Sequence, residues 1–294
     1  MANETNNPDL DRLSKLIKAL DPWLSQVVIV GGWAHRLLRY HPLAQVVPHD
    51  PLLTLDTDIA IPVTLDTDIA IPATLEGSEQ DLRGRLKASG FEEKFLGENQ
   101  PPATHYELAD EHGEFYAEFL SPLIGSEYDR DGNRRATTRV AGVTSQNLRY
   151  VDLLLNSPWT VQLSRENGFP FETPKQVRIA HPTRFVAQKL LIHDKRDRRS
   201  RAKDILYLHD TIELLGGSLG VLREEWNRLR QELSHGAIRT VERAVDTMFS
   251  KMTDDIRGAA QAAAGRALTP QAVQELCRAG LKIVFAAESA DIRK

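Results

Sequence analysis

The nonapeptide TLDTDIAIP occupies residues 54–62 and returns unchanged at residues 64–72. Its alternation, Leu-Asp-Thr-Asp-Ile-Ala-Ile, has the two-residue period of a strand. Positions i and i+2 of a strand point to the same face. Asp56 and Asp58 would therefore stand roughly 7 Å apart along one edge, and Asp66 and Asp68 offer the same geometry. Like charges so close are costly unless a cation sits between them. Mg²⁺ takes oxygen ligands, preferring carboxylates together with substrate phosphates, so each pair is a candidate metal site. Two copies do not make a solenoid, which needs more stacked units. One copy is expected to be the functional strand and the other an insertion at its edge. The shorter connection from Gly32 favours Asp56 and Asp58. Surface loops tolerate insertion cheaply, which keeps Asp66 and Asp68 in contention.

Upstream, residues 8–20 carry Leu10, Leu13, Ile17 and Leu20 at helical spacing, with Pro8 suited to a first turn. Residues 27–30 form a short β-branched run that reads as a buried strand. It ends at Gly31-Gly32, and a helical pattern resumes at residues 33–40. A helix N-terminus offers unpaired N–H groups and a positive dipole end, which together bind phosphate. Glycine lets a phosphate approach the backbone without a Cβ in the way. Gly31 and Gly32 are therefore candidate nucleotide-binding residues.

Downstream, residues 41–54 read as a proline-rich loop and residues 79–89 as a helix stopped by Gly90. Strands are expected around residues 93–96, 105–108, 114–120, 148–155, 160–163 and 177–179. A third acid comes from Glu114, Glu118 or Asp152. Glu118 sits in the apolar run Phe115-Tyr-Ala-Glu-Phe-Leu120, where a carboxylate needs a partner because a lone buried charge is expensive. Three carboxylates beside a glycine-started helix suggest two-metal phosphoryl chemistry. From residue 182 helical spacing continues to residue 215, where Gly216-Gly217 ends it, and the rest is helical. The fold class is α/β (α+β): a mixed sheet with flanking helices over residues 1–180, then an all-helical domain over residues 181–294.

The 294 residues are 41% apolar and 27% charged, as in a soluble globular protein. Acids outnumber bases 41 to 37, so the net charge of −4 gives no global argument for nucleic-acid binding. The single cysteine, Cys277, excludes an internal disulfide or a multi-thiolate zinc cluster and lies in a helical core pattern. The polar N-terminus and the lack of a long apolar stretch predict a cytoplasmic protein without a membrane partner.

One local exception to the acidic balance runs from Arg184 to Lys203, including Lys189, Lys195, Arg196, Arg198, Arg199 and Arg201. Such a patch could hold a triphosphate or the backbone of tRNA or another RNA. Lys189, among Phe185, Leu190 and Ile192, is the stronger triphosphate candidate, with Arg184 and Lys195 beside it. Asp204 is placed to orient that lysine. Aromatic residues are sparse here, so stacking of single-stranded bases is not supported.

Val30-Gly31-Gly32-Trp33 followed by Leu55-Asp56-Thr57-Asp58-Ile59-Ala60 resembles the hallmark of the DNA polymerase β-like nucleotidyltransferase superfamily. Ala117-Glu118-Phe119-Leu120-Ser121-Pro122 looks like its later strand with the third acid. His181-Pro-Thr-Arg-Phe-Val-Ala-Gln-Lys-Leu-Leu191 and Arg201-Ala-Lys-Asp204 resemble the bacterial NTP_transf_8-type branch, and more distantly the AbiEii-like toxins. The likeness covers roughly residues 25–215. It departs in a longer spacer from Gly32 to Asp56 and in the duplicated Asp-x-Asp. It implies transfer of a nucleoside monophosphate from an NTP such as ATP to a hydroxyl on an RNA 3′ end, a protein or a small molecule. Mg²⁺ or Mn²⁺ would be held by one aspartate pair and Glu118. The alternatives are a degenerate nucleotide- or RNA-binding module and a toxin or defence component built on the same fold.

Overall fold

The computed structural model describes residues 7–51, 65–76, 81–97, 103–110, 113–263 and 265–285. The chain forms two compact units, Met1–His41 with Pro51–Ala180, and Pro42–Asp50 with His181–Lys294. Residues 42–50, assigned by the sequence reading to the first domain, thus belong to the second.

In the first unit, α1 (Pro8–Ala19) begins at Asn7, whose side chain accepts from the Asp9 N–H. Leu13, Leu16 and Ile17 are fully buried on its inner face. Next come β1 (Val28–Val30), α2 (Gly31–Leu37), β2 (Leu65–Ala70), α3 (Leu82–Ala88), β3 (Glu92–Leu96), β4 (Ala103–Asp110) and β5 (Gly113–Pro122). They are followed by β6 (Thr137–Val140), β7 (Val143–Leu148), α4 (Val151–Leu155), β8 (Trp159–Leu163) and β9 (Lys175–Ile179). The strands make one mixed sheet in the order β3-β4-β5-β2-β1-β9-β8, with β7 parallel to the far end of β5 and β6 paired to β7.

The sheet positions are set by alternation. Thr67, Ile69, Phe115, Ala117, Phe119, Tyr106 and Leu108 are buried, while Asp68, Tyr116, Glu118, His105 and Glu107 are half-buried. One face is therefore core and the other carries the polar groups. Tyr106 fastens the buried face. Its hydroxyl donates to Glu93 Oε1 at 3.2 Å and accepts from the Thr144 N–H at 3.0 Å, tying β4 to β3 and β7. Burial, with Glu93 adding to it, pushes the phenol up to about 12.

Residues 148–155 are not one strand: β7 ends at Leu148, Tyr150 turns the chain at φ +66, and Val151–Leu155 is α4. The hairpin β6–β7 was not foreseen. Its loop is Ala141-Gly142, both at positive φ, the two-residue geometry that matches strand twist.

The second unit holds α5 (Pro182–Ile192), α6 (Arg198–Leu214), α7 (Leu219–Glu232), α8 (His235–Thr247), α9 (Asp254–Ala262) and α10 (Pro270–Phe285). The helical pattern of residues 183–215 is thus two helices, separated near His193–Lys195 and restarted by Asp197, whose carboxylate caps the Ser200 N–H. Cys277 is fully buried, and burial, with the Asp210 charge, pushes its thiol far above the ordinary range. Gln45 closes the end of α6: its N–H donates to Leu214 O at 2.8 Å and its side-chain amide to Glu213 O at 2.7 Å. Two carbonyls that the helix leaves unpaired are satisfied this way. Among the described residues, no single helix is long and apolar enough to cross a membrane.

Candidate active site

Strand β2 is made by the second copy of the repeat, Leu65–Ala70. The first copy, preferred from the sequence with Asp56 and Asp58, lies outside the described residues. Local sequence could not separate identical nonapeptides. In the structure residues 65–70 lie between β1 and β5, with Val30 opposite Asp68 on one side and Glu118 opposite Asp68 on the other.

That register is the centre of the site. In a sheet, directly opposed residues project to the same face about 5 Å apart, so Asp68 and Glu118 stand side by side on the polar face. Asp66 holds the register position two residues earlier, opposite Tyr116. Of the other acids considered, Asp152 is exposed on α4, and Glu114 lies near the opposite end of β5 from Pro122, opposite Ala109.

The glycine turn meets the same strand. β1 ends at Val30, and Gly31 opens α2 at φ +64, a conformation that favours glycine. A Cβ at Gly31 would fall 3.2 Å from Asp68 Cγ, with Oδ2 nearer still. The Asp68 carboxylate therefore packs directly on the Gly31 backbone. A carboxylate and the first backbone of a helix are thus adjacent.

The sheet adds two residues that the sequence reading missed. His105 is opposite Glu118 on β4, and its ring stacks flat on Tyr116, with centroids 3.8 Å apart and planes within 4°. The two-residue period at 105–107 and 116–118 was the available signal, since it puts these rings on the face of the acids.

The basic run is largely consumed by ion pairs. Arg184, expected on the nucleotide, is buried. Its Nε donates to Glu225 Oε1 at 2.6 Å and its terminal nitrogens to Glu232 at 2.7 and 2.8 Å. It ties α5 to α7 and offers no open face, so this assignment is corrected. Lys189 Nζ lies 2.9 Å from the buried Asp204 and 5.4 Å from the Phe185 ring centroid. Asp204 also faces Arg196 at 3.3 Å. Asp204 does meet Lys189, but across two helices rather than along one. Arg198 and Arg201 pair with Asp254 and Asp255 of α9 at 3.1 and 2.8 Å. Lys195 ends the short turn after α5.

Residues 9–230 match the family model NTP_transf_8, described as "Nucleotidyltransferase". Comparison with curated proteins and with solved structures returns no match.

Proposed function

Because the chain belongs to the NTP_transf_8 nucleotidyltransferase family, we propose that it transfers a nucleoside monophosphate from an NTP to a hydroxyl acceptor, releasing pyrophosphate. The observation that carries this reading is the register of Asp68 with Glu118, beside the Gly31 backbone. Two carboxylates on neighbouring strands repel, and a shared cation relieves that cost. The donor set, Asp66, Asp68 and Glu118, is all oxygen and suits Mg²⁺ or Mn²⁺.

Such ions would lower the pKa of the attacking hydroxyl and stabilise the leaving pyrophosphate. The chain itself has three tasks. Asp66, Asp68 and Glu118 would hold the ions. Gly31 and Gly32 bring no side chain of their own to that end of α2, so phosphate oxygens could approach its N–H groups beside Asp68. The rigid pairing of β2 between β1 and β5 fixes the carboxylates before substrate arrives, and pre-set geometry of this kind contributes to rate. The buried pairing of Arg184 and the partly buried pairing of Arg201 with acids engage part of the basic run. The acceptor, whether RNA, protein or small molecule, is therefore left to be read out by the assay.

The test is incubation with each α-labelled NTP, Mg²⁺ and total RNA or protein. Label should enter one acceptor class with release of pyrophosphate. Asp68→Asn and Glu118→Gln should abolish transfer, while Asp58→Asn should retain it. NTP binding without pyrophosphate release would instead mark a non-catalytic module. Loss of transfer in Asp58→Asn with retention in Asp68→Asn would overturn the choice of copy.

A further inference from the structure

We propose that His49, Asp210 and Glu213 form a binding site for one transition-metal ion of the Zn²⁺ type, on residues of the helical unit. One ligand atom from each lies within 4.8 Å of the other two. The three-residue spacing of Asp210 and Glu213 sets both on one face of α6. His49 arrives from residues 42–50, which Gln45 holds against the end of that helix. Asp210 is fully buried, and the side chains of His49 and Glu213 are 13% and 28% exposed. The set is therefore sheltered but reachable by an ion.

The hydrogen bonds around the three residues fix how they face one another. His49 Nδ1 is 3.1 Å from Asp50 O. A carbonyl only accepts, so Nδ1 carries a proton, and in the neutral ring Nε2 presents its lone pair. That Nε2 is 2.8 Å from Glu213 Oε2. A ring proton holds that pair together, and a metal ion can take the proton's place between the two atoms. Asp210 brings a second carboxylate to the same place. Its orientation is fixed from outside: His209 Nδ1 is 2.9 Å from Oδ1, and Arg266 donates to both oxygens at 2.9 and 2.7 Å. Arg266 also donates to Asp50 O at 2.9 Å, the carbonyl that sets the His49 tautomer.

A ligand histidine giving its second N–H to a carbonyl, and a ligand carboxylate braced by donors, is how outer groups support a bound metal. The charges are compatible. Two carboxylates, Asp210 and Glu213, stand against one guanidinium, Arg266, so the site offers negative charge for an ion to meet. The mixed nitrogen and oxygen set disfavours Mg²⁺ and suits Zn²⁺, Co²⁺ or Mn²⁺. Three protein ligands leave a position for water. The ion would clip residues 42–50 to α6. In sequence that segment connects α2, which starts at Gly31, to β2, which bears Asp68.

The test uses the untagged full-length chain, stripped with chelator and dialysed against micromolar Zn²⁺, with bound metal measured by mass spectrometry. Co²⁺ is titrated in parallel and followed by its visible absorption. A single ion should be retained by the wild type and by Asp68→Asn. His49→Ala and the near-isosteric Glu213→Gln should each weaken binding on the order of 100-fold. Circular dichroism checks folding, and Glu213→Gln carries the test if His49→Ala does not fold. The proposal is overturned if the wild type retains no ion. It is overturned equally if both variants bind as the wild type does, or if Asp68→Asn loses the ion.

Discussion

Replacing Gly31 by alanine should disturb Asp68 through two separate costs. The first is conformational. Gly31 has φ +64, where an L-residue is disfavoured by roughly 1–2 kcal/mol. The second is steric. The added methyl would sit 3.2 Å from Asp68 Cγ and 3.4 Å from its Cβ, with Oδ2 closer. Asp68 cannot recoil along the backbone, because β2 is paired on both sides. Its carboxylate must turn away, by about 1 Å, and a shift of that size in a reacting group costs about 100-fold in rate. Together the two costs should destabilise the fold by about 2–4 kcal/mol. Urea denaturation, Mn²⁺ titration and the labelled-NTP assay read the three consequences. Gly90→Ala is the control: φ is +89, but its Cβ would meet only Leu108 Cδ1 at an ordinary 3.4 Å. It should lose stability alone. If Gly31→Ala loses no more stability than Gly90→Ala and keeps its Mn²⁺ affinity and rate, Asp68 does not pack on Gly31 as described.

Arg184→Ala should destabilise the fold by about 3–5 kcal/mol, read by denaturant midpoint, since it strands the buried Glu225. Loss of less than 1 kcal/mol, taken as roughly a surface-pair value, would contradict that burial. The Arg184 guanidinium hydrogen-bonds Glu232 and holds its carboxyl below the ordinary range. That stabilisation is complete above the unfolded carboxyl's pKa and is lost as pH falls through the folded one. Melting temperature should therefore fall on acidification, and Glu232→Gln should flatten the curve at its acid end. Deleting residues 54–63 leaves residues 64–72 intact for β2. The shortened chain should keep transfer activity and lie within ~1 kcal/mol of the parent, because closure entropy changes slowly with loop length. Loss of activity with an intact circular-dichroism spectrum would show that the first copy contributes.

Short-range pattern made much of the fold legible. The apolar run before Gly31-Gly32, the alternation around Glu118 and the helical spacing after residue 182 all became the expected element types. The failures share one cause. Residues 148–155 are a short apolar run, and period alone does not separate strand from helix at that length. There the turn at Tyr150 decided the matter. The long helical pattern after Pro182 hid a break, because Asp197 acts as a cap that spacing does not reveal. Arg184 read as a nucleotide-binding base because its acidic partners, Glu225 and Glu232, are remote in sequence.

By itself the sequence determined the chemical inventory: paired aspartates, an acid in an apolar strand, and two glycines at the mouth of a helix. These follow from residue types at short spacing, where geometry is fixed by the backbone period. Only the tertiary structure decided that residues 65–70 pair between β1 and β5, that Glu118 stands opposite Asp68, and that His49 meets Glu213. Those are pairings across long stretches of chain. They are chosen by the summed packing of distant surfaces, to which no local pattern has access.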